Sequence, residues 1–156
     1  MEEAINDAKI ALASTFALYL KAINYHWNVE GSDFPQLHEF FGDMYEDLQG
    51  AVDPIAEHIR AMGAYCPGSF SRYTELSVVS DELKVPSAME MVRRLMEDNL
   101  NVRETFRKAS ASAETAGDIG AANFFQERFD KHSKFNWMLS AILKRNGAAA
   151  SAAPKK

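Results

Sequence analysis

The 156-residue chain has almost nothing that could staple it, thread it through a membrane or hold it on a polyanion. Its one cysteine, Cys66, excludes an intrachain disulfide, so nothing points to an oxidising compartment. A lone cysteine reads more simply as a small buried apolar side chain than as a reactive thiol. No apolar run approaches the roughly 18 residues of a membrane span. The acidic start MEEAINDAK lacks the basic stretch and apolar core of a secretory signal, so a soluble cytoplasmic protein is expected. Positive charge is in deficit. The formal net charge of −5 disfavours a dedicated nucleic-acid groove and favours attraction of cations. Prolines number only five, and strand-like alternation is missing from every long stretch.

What remains is helix. Apolar residues make up 47% of the chain, ten of them Phe, and the length suits one domain with a substantial core. Ile5, Ala8, Ala11, Leu12, Thr15, Leu18 and Ala22 recur at helical spacing and predict a first helix over about 3–28. Gly31 and Ser32 break it. Ser32 or Asp33 can cap a second helix that has Pro35 in its first turn and runs to about Met62. This helix holds Gly42, Gly50 and Pro54 in its interior, each costly there, and Pro54 is expected to bend it. Breakers tolerated in such positions imply that tertiary packing holds the helix in place. Residues 64–85 form a longer connection with a short helix around Tyr73 to Leu76. Pro86 and Ser87 open a third helix to about Ala113, and a fourth spans about Asp118 to Asn146. The expected class is all-α: a ferritin-like four-helix bundle over 1–146, with a short extra helix in the crossover between helices 2 and 3. A flexible Ala-rich tail is expected over 147–156.

The stretch NYHWNVEGSDFPQLHEFFGD sets His26 and His38 twelve positions apart, about equally far from the turn at Gly31 and Ser32. Antiparallel helices would bring them to the same height in the bundle. Downstream, in AVDPIAEHIR, Asp53 and Glu57 fall at i, i+4 and share a helix face. Two imidazoles and two carboxylates are reasonable ligands for iron, and other divalent metals accept similar sets. For the carboxylates alone, two solvated charges are the plainer reading. His38 and Asp53 lie 15 residues apart on one helix, about 22 Å, too far to share an ion. A two-fold axis between antiparallel second helices could carry the histidines of one chain to the carboxylates of its partner. An isologous interface would do so twice.

HWNVEG, then F-x-x-L-H-E, then D-x-I-A-E, together with KHSKFNWML in the last helix, resemble the Dps family of mini-ferritins over nearly the whole chain. The resemblance implies a hollow homododecamer built from two-fold dimers, with a di-iron-type ferroxidase centre at each two-fold interface. It implies oxidation of Fe(II) to Fe(III), by hydrogen peroxide in preference to dioxygen, and storage of the ferric mineral inside the shell. By matching positions, His26 and His38 are the metal ligands and catalytic residues from one subunit, and Asp53 and Glu57 those from its partner. Glu57 would bind most tightly, Asp53 and His26 would complete that position, and His38 would serve the second. Trp27 would lie close to the centre.

Two positions depart from the family pattern. Gly42 stands where an acid is usual, four residues after His38, so the second iron position is expected to be weak. Asp43 and Glu46 are the substitutes on offer, displaced about 140° and about 80° around the helix from His38. In GDIGAANFFQERFD, where the family lines its three-fold pores, Asp118 fits but Asn123 replaces a usual Asp; Glu127 or Asp130 would then share the task of iron entry. Glu39, Asp43 and Glu46 read either as mineral-nucleating acids or as a solvated face. His58 reads as peripheral, His132 as structural, and Trp137, Met138, Leu139 and Leu143 as core or interface packing.

DNA binding is not favoured, because the start is acidic and the tail offers only Lys155 and Lys156 beyond Lys144 and Arg145. The main rival reading is a non-enzymatic, nucleoid-associated shell that protects DNA with impaired oxidation. The other is a helical interaction domain with incidental ligand-type residues.

Overall fold

The computed structural model describes residues 1–148, with side chains described through Lys144. Among the described residues there are five helices and no strands: α1 (Glu2–Asn28), α2 (Phe34–Ala61), α3 (Phe70–Leu76), α4 (Ala88–Thr115) and α5 (Ile119–Ala148). The four long helices stand within two residues of their expected ends. Short α3 starts earlier than expected because Ser69 caps it, its hydroxyl accepting from the Arg72 amide at 3.3 Å. Ser87 caps α4 in the same way. Asp118 caps α5, one carboxylate oxygen accepting from the Ala121 amide at 3.0 Å. Asp33 holds the cap position of α2, yet its side chain makes no capping bond. The second helix runs unbroken through Gly42, Gly50 and Pro54. The tail expected over 147–156 lies, from residue 149 on, outside the described residues.

Contacts define the topology. Tyr19 meets Tyr45 and Tyr25 meets Phe41, so α1 and α2 are antiparallel. Lys21 pairs with Asp98 while Tyr25 and Arg94 meet on Glu82, so α1 also runs antiparallel to α4. Two helices antiparallel to the same third helix are parallel to each other. The chain must therefore travel the length of the bundle between α2 and α4, which is what residues 62–87 do. Asn99 to His132 and Ser110 to Ala122 make α4 and α5 an antiparallel pair.

The core is continuous, with Leu12, Leu18, Tyr25, Phe41, Leu48, Ile55, Ile59, Leu95, Phe106 and Phe125 fully buried. Each such side chain contributes about 1.5–3 kcal/mol of transfer free energy. Among the described residues its buried polar side chains are partnered, the Thr15 hydroxyl excepted. Lys21 and Asp98 pair at 2.6 Å, and Arg128 reaches Asp47 at 2.7 Å. Glu82, carried by the crossover with its side chain only 6% exposed, accepts from the Tyr25 hydroxyl at 2.7 Å and the Arg94 guanidinium at 2.6 Å. The Tyr25 bond, followed by Arg94 and the Lys84 amide, outweighs desolvation and holds the Glu82 carboxyl down at about 2. Burial and the facing carboxylate push the Tyr25 hydroxyl up. This triad, with the Val78 amide donating to Ser14 at 3.1 Å, straps the crossover to α1 in the turns preceding and including the His26 turn.

Other expectations fare unevenly. Leu139 is buried and Met138 and Leu143 pack half-buried on the core, whereas Trp137 is 66% exposed on this chain. Cys66 is half-buried rather than buried, and desolvation pushes its thiol up. His132 is a core residue, as expected. Among the described residues no helix is long and apolar enough to cross a membrane.

Candidate metal centre

The last turn of α1 carries His26, and the second turn of α2 carries His38. Between them Gly31 adopts φ 110°, a left-handed conformation that favours glycine and lets the chain reverse within five residues. The amide of Phe34 closes the turn on the Gly31 carbonyl at 3.1 Å.

The reversal stacks the two imidazoles, centroids 3.8 Å apart and planes 17° apart. Nδ1 of His26 lies 2.7 Å from the His38 carbonyl, and Nδ1 of His38 lies 2.7 Å from the His26 carbonyl. A carbonyl only accepts, so each Nδ1 must carry the proton. In the neutral rings this leaves both Nε2 lone pairs free. Orienting one ring nitrogen on a backbone carbonyl is how proteins commonly set the tautomer of a metal-binding histidine. Phe34 stacks on His38 at 5.0 Å and Tyr45 presents an edge to His26 at 5.2 Å. Gly42 is buried beneath His26: a Cβ there would lie 3.2 Å from both Cε1 and Nδ1 of the ring.

Nearly parallel planes at this separation do not intersect within a metal–nitrogen bond, about 2.0–2.1 Å. One ion therefore cannot lie in the plane of both rings. Each imidazole addresses its own position.

Asp53 and Glu57 stand one turn apart on α2, both exposed. They continue an exposed acidic stripe that begins with Glu39, Asp43 and Glu46, so those three face solvent on the single chain. Among the described residues no three His, Cys, Asp or Glu side chains of one chain converge as a metal cluster. The chain thus carries an imidazole pair and a carboxylate pair, and does not join them by itself. Trp27, beside His26, is 64% exposed on the wall of a groove that also includes Leu20, Phe70 and Leu83. His58, next to Glu57 in the chain, packs its ring on Phe124 and Phe125 of α5. Asn123, Glu127 and Asp130 share an exposed face of α5.

Reasoning from sequence missed three features of the centre: the exchanged imidazole–carbonyl bonds, the Tyr45 edge contact and the packing of His26 over Gly42. Helical spacing contained a trace of the last. Gly42 follows His38 by one turn, on the face that meets α1.

An antiparallel histidine pair on the first two helices, carboxylates one turn apart on the second, and a full-length crossover define a ferritin-like protein. The ferritin-like domain family matches residues 4–146. Within that class the chain belongs to the Dps family. It is 30% identical over 132 residues to the DNA protection during starvation protein of Helicobacter pylori, covering 84% of this chain and 92% of that one. Among solved structures, Dps from Staphylococcus aureus matches with TM-score 0.88 at 30% identity, over 92% of this chain and 96% of that chain. Dps from Vibrio cholerae O1, a member of a broad superfamily of ferritin-like diiron-carboxylate proteins, matches with TM-score 0.86 at 27% identity, over 91% and 89%.

Proposed function

We propose that the protein is a cytoplasmic mini-ferritin that oxidises Fe(II), with hydrogen peroxide as preferred oxidant, and stores the ferric product inside a homododecameric shell. Its centre forms between two-fold-related chains, His26 and His38 of one chain facing the partner's Asp53 and Glu57. The carrying observation is the exchanged imidazole–carbonyl pair, which leaves two Nε2 lone pairs free on rings 3.8 Å apart. That separation is comparable to the roughly 3.5–4 Å between ions in two-metal sites. Iron is the substrate. Two ferrous ions each yield one electron to a peroxide, whose O–O bond breaks to give, with two protons, two waters. The protein contributes ligands, spacing and exclusion of side reactions.

His26 with the partner's carboxylates makes the firm position; His38, with Gly42 one turn on, makes a weak one. Gly42 also favours the rival reading of a DNA-protecting shell with little oxidation, and one experiment separates the two. Peroxide-driven Fe(II) oxidation by the assembled protein should be fast and should fall to background in Glu57→Ala. An assembled wild type no faster than Glu57→Ala would favour the rival. Two equally tight ions per centre in an iron titration would defeat the asymmetry.

A further inference from the structure

We infer that Tyr45 is a one-electron donor to the peroxide reaction, with Tyr19 behind it as a second station, so that a single ferrous ion can react without releasing hydroxyl radical. This rests on the shared centre proposed above.

The need arises from the asymmetry of that centre. Peroxide takes two electrons to become two waters, and one Fe(II) supplies only one. When the firm position at His26 is filled and the weak one is empty, the second electron must come from the protein; otherwise hydroxyl radical escapes. Tyr45 stands where that electron is needed. Among the described residues it is the tyrosine whose ring meets His26, edge-on at 5.2 Å. It also meets Tyr19 of α1 at 6.2 Å. Both phenols are half-buried against the core, which limits the access of a radical there to reductants in solution.

The neighbouring rings are less suited. Beyond Tyr19 the next ring is Phe16, at 5.8 Å, which in turn meets Tyr73 at 4.9 Å. A phenyl ring has no hydroxyl proton to release and is far harder to oxidise than a phenol, so the relay ends at Tyr19. Tyr25 follows His26's neighbour Asn24 along α1, but its ring faces Phe41 and its hydroxyl is bound to Glu82. Trp27 also adjoins His26 in the chain, yet it is exposed and among the described residues makes no ring contact with either imidazole.

The step balances. One Fe(II), one peroxide, the Tyr45 phenol and one solvent proton give Fe(III), a tyrosyl radical and two waters. Tyr45 loses an electron and its hydroxyl proton as the O–O bond breaks, and the radical is shared with Tyr19. A later Fe(II), with a solvent proton, restores the phenol and becomes Fe(III). The sum is the two-iron reaction proposed above, carried out one ion at a time.

The test loads the assembled full-length protein with one Fe(II) per centre and mixes it with hydrogen peroxide. Electron paramagnetic resonance after rapid freezing reads protein radicals, and a spin trap in parallel samples reads hydroxyl radical. Wild type should give a tyrosyl signal that narrows with ring-deuterated tyrosine, and little trapped hydroxyl radical. A second Fe(II) per centre should erase the signal. Tyr45→Phe keeps the ring and loses only the hydroxyl; it should melt as wild type does, lose the signal and release several-fold more hydroxyl radical. Tyr19→Phe should keep the signal but shorten its life, and Tyr73→Phe should change neither readout. The donor role is overturned if an oxidising wild type shows no tyrosyl signal, or if the signal survives Tyr45→Phe or the second Fe(II). A tryptophan signal that disappears in Trp27→Phe, in place of the tyrosyl one, overturns it too. An unchanged lifetime in Tyr19→Phe overturns the second station. If wild type oxidises Fe(II) no faster than Glu57→Ala, the shared centre itself fails and the donor role with it.

Discussion

His26 and His132 are both imidazoles on long helices of one bundle, and they do opposite things. His132 is fully buried. Its Nδ1 donates to the Asn99 side-chain oxygen at 2.7 Å, and its Nε2 faces the Arg128 guanidinium at 3.5 Å. The Asn99 amide returns a bond to the His132 carbonyl at 2.8 Å. Both ring nitrogens face partners, and burial, reinforced by Arg128 and Arg103, pushes the group down to about 3. His26 is half-buried and spends one nitrogen on a carbonyl. What separates the two imidazoles is therefore the number of ring nitrogens left open, which residue type and position alone do not report.

The largest effect that tests this contrast is on turnover. His26→Ala should reduce peroxide-driven Fe(II) oxidation by about 100-fold or more, at or beyond the upper end for outer-shell losses, and leave melting nearly unchanged. His132→Ala should do the reverse. It opens a cavity and leaves Asn99 and Arg128 short of partners, at a cost of about 2–5 kcal/mol in denaturant unfolding, with oxidation by the assembled protein retained. If His132→Ala abolished oxidation in a fully assembled shell, the division between the two histidines would collapse.

A smaller effect separates them by pH. His132 stays unprotonated in the native state down to about 3 but protonates near 6.5 when unfolded. The unfolded chain therefore binds the extra proton between these values. The stabilisation is complete above about 6.5 and lost as pH falls toward 3. Glu82, held at about 2, adds stability that is complete above its ordinary value of 4.5 and is lost progressively as pH falls toward about 2. Urea unfolding from pH 7 to 4 should fall less steeply in His132→Gln than in wild type; parallel curves would contradict the assignment. The smallest effect is that of Gly50→Ala, a gain of up to about 1 kcal/mol from helix propensity with no change at the centre.

Much of this was legible in one dimension. The long helices follow from apolar residues at three- and four-residue spacing, and their limits from Gly31, Ser87 and Asp118, whose chemistry is local. The match of His26 to His38 follows from equal distances to one turn. Glu82 was not legible as a clamp. It sits in an irregular crossover, and its partners Tyr25 and Arg94 are 57 and 12 residues away. Nor was the exposure of Trp137, because an aromatic at helical spacing reads as buried until the neighbouring helices are in place.

By itself, then, the sequence determined the helices, the long crossover between α2 and α4, and the imidazole and carboxylate pairs with their spacing. Those properties depend on backbone periodicity and turn chemistry, which neighbours along the chain decide. Only the tertiary structure decided which nitrogens of His26 and His38 remain free, what holds the crossover, and that the space over Gly42 is occupied. Those depend on side chains brought together across helices, where a few tenths of an ångström separate an open space from a filled one.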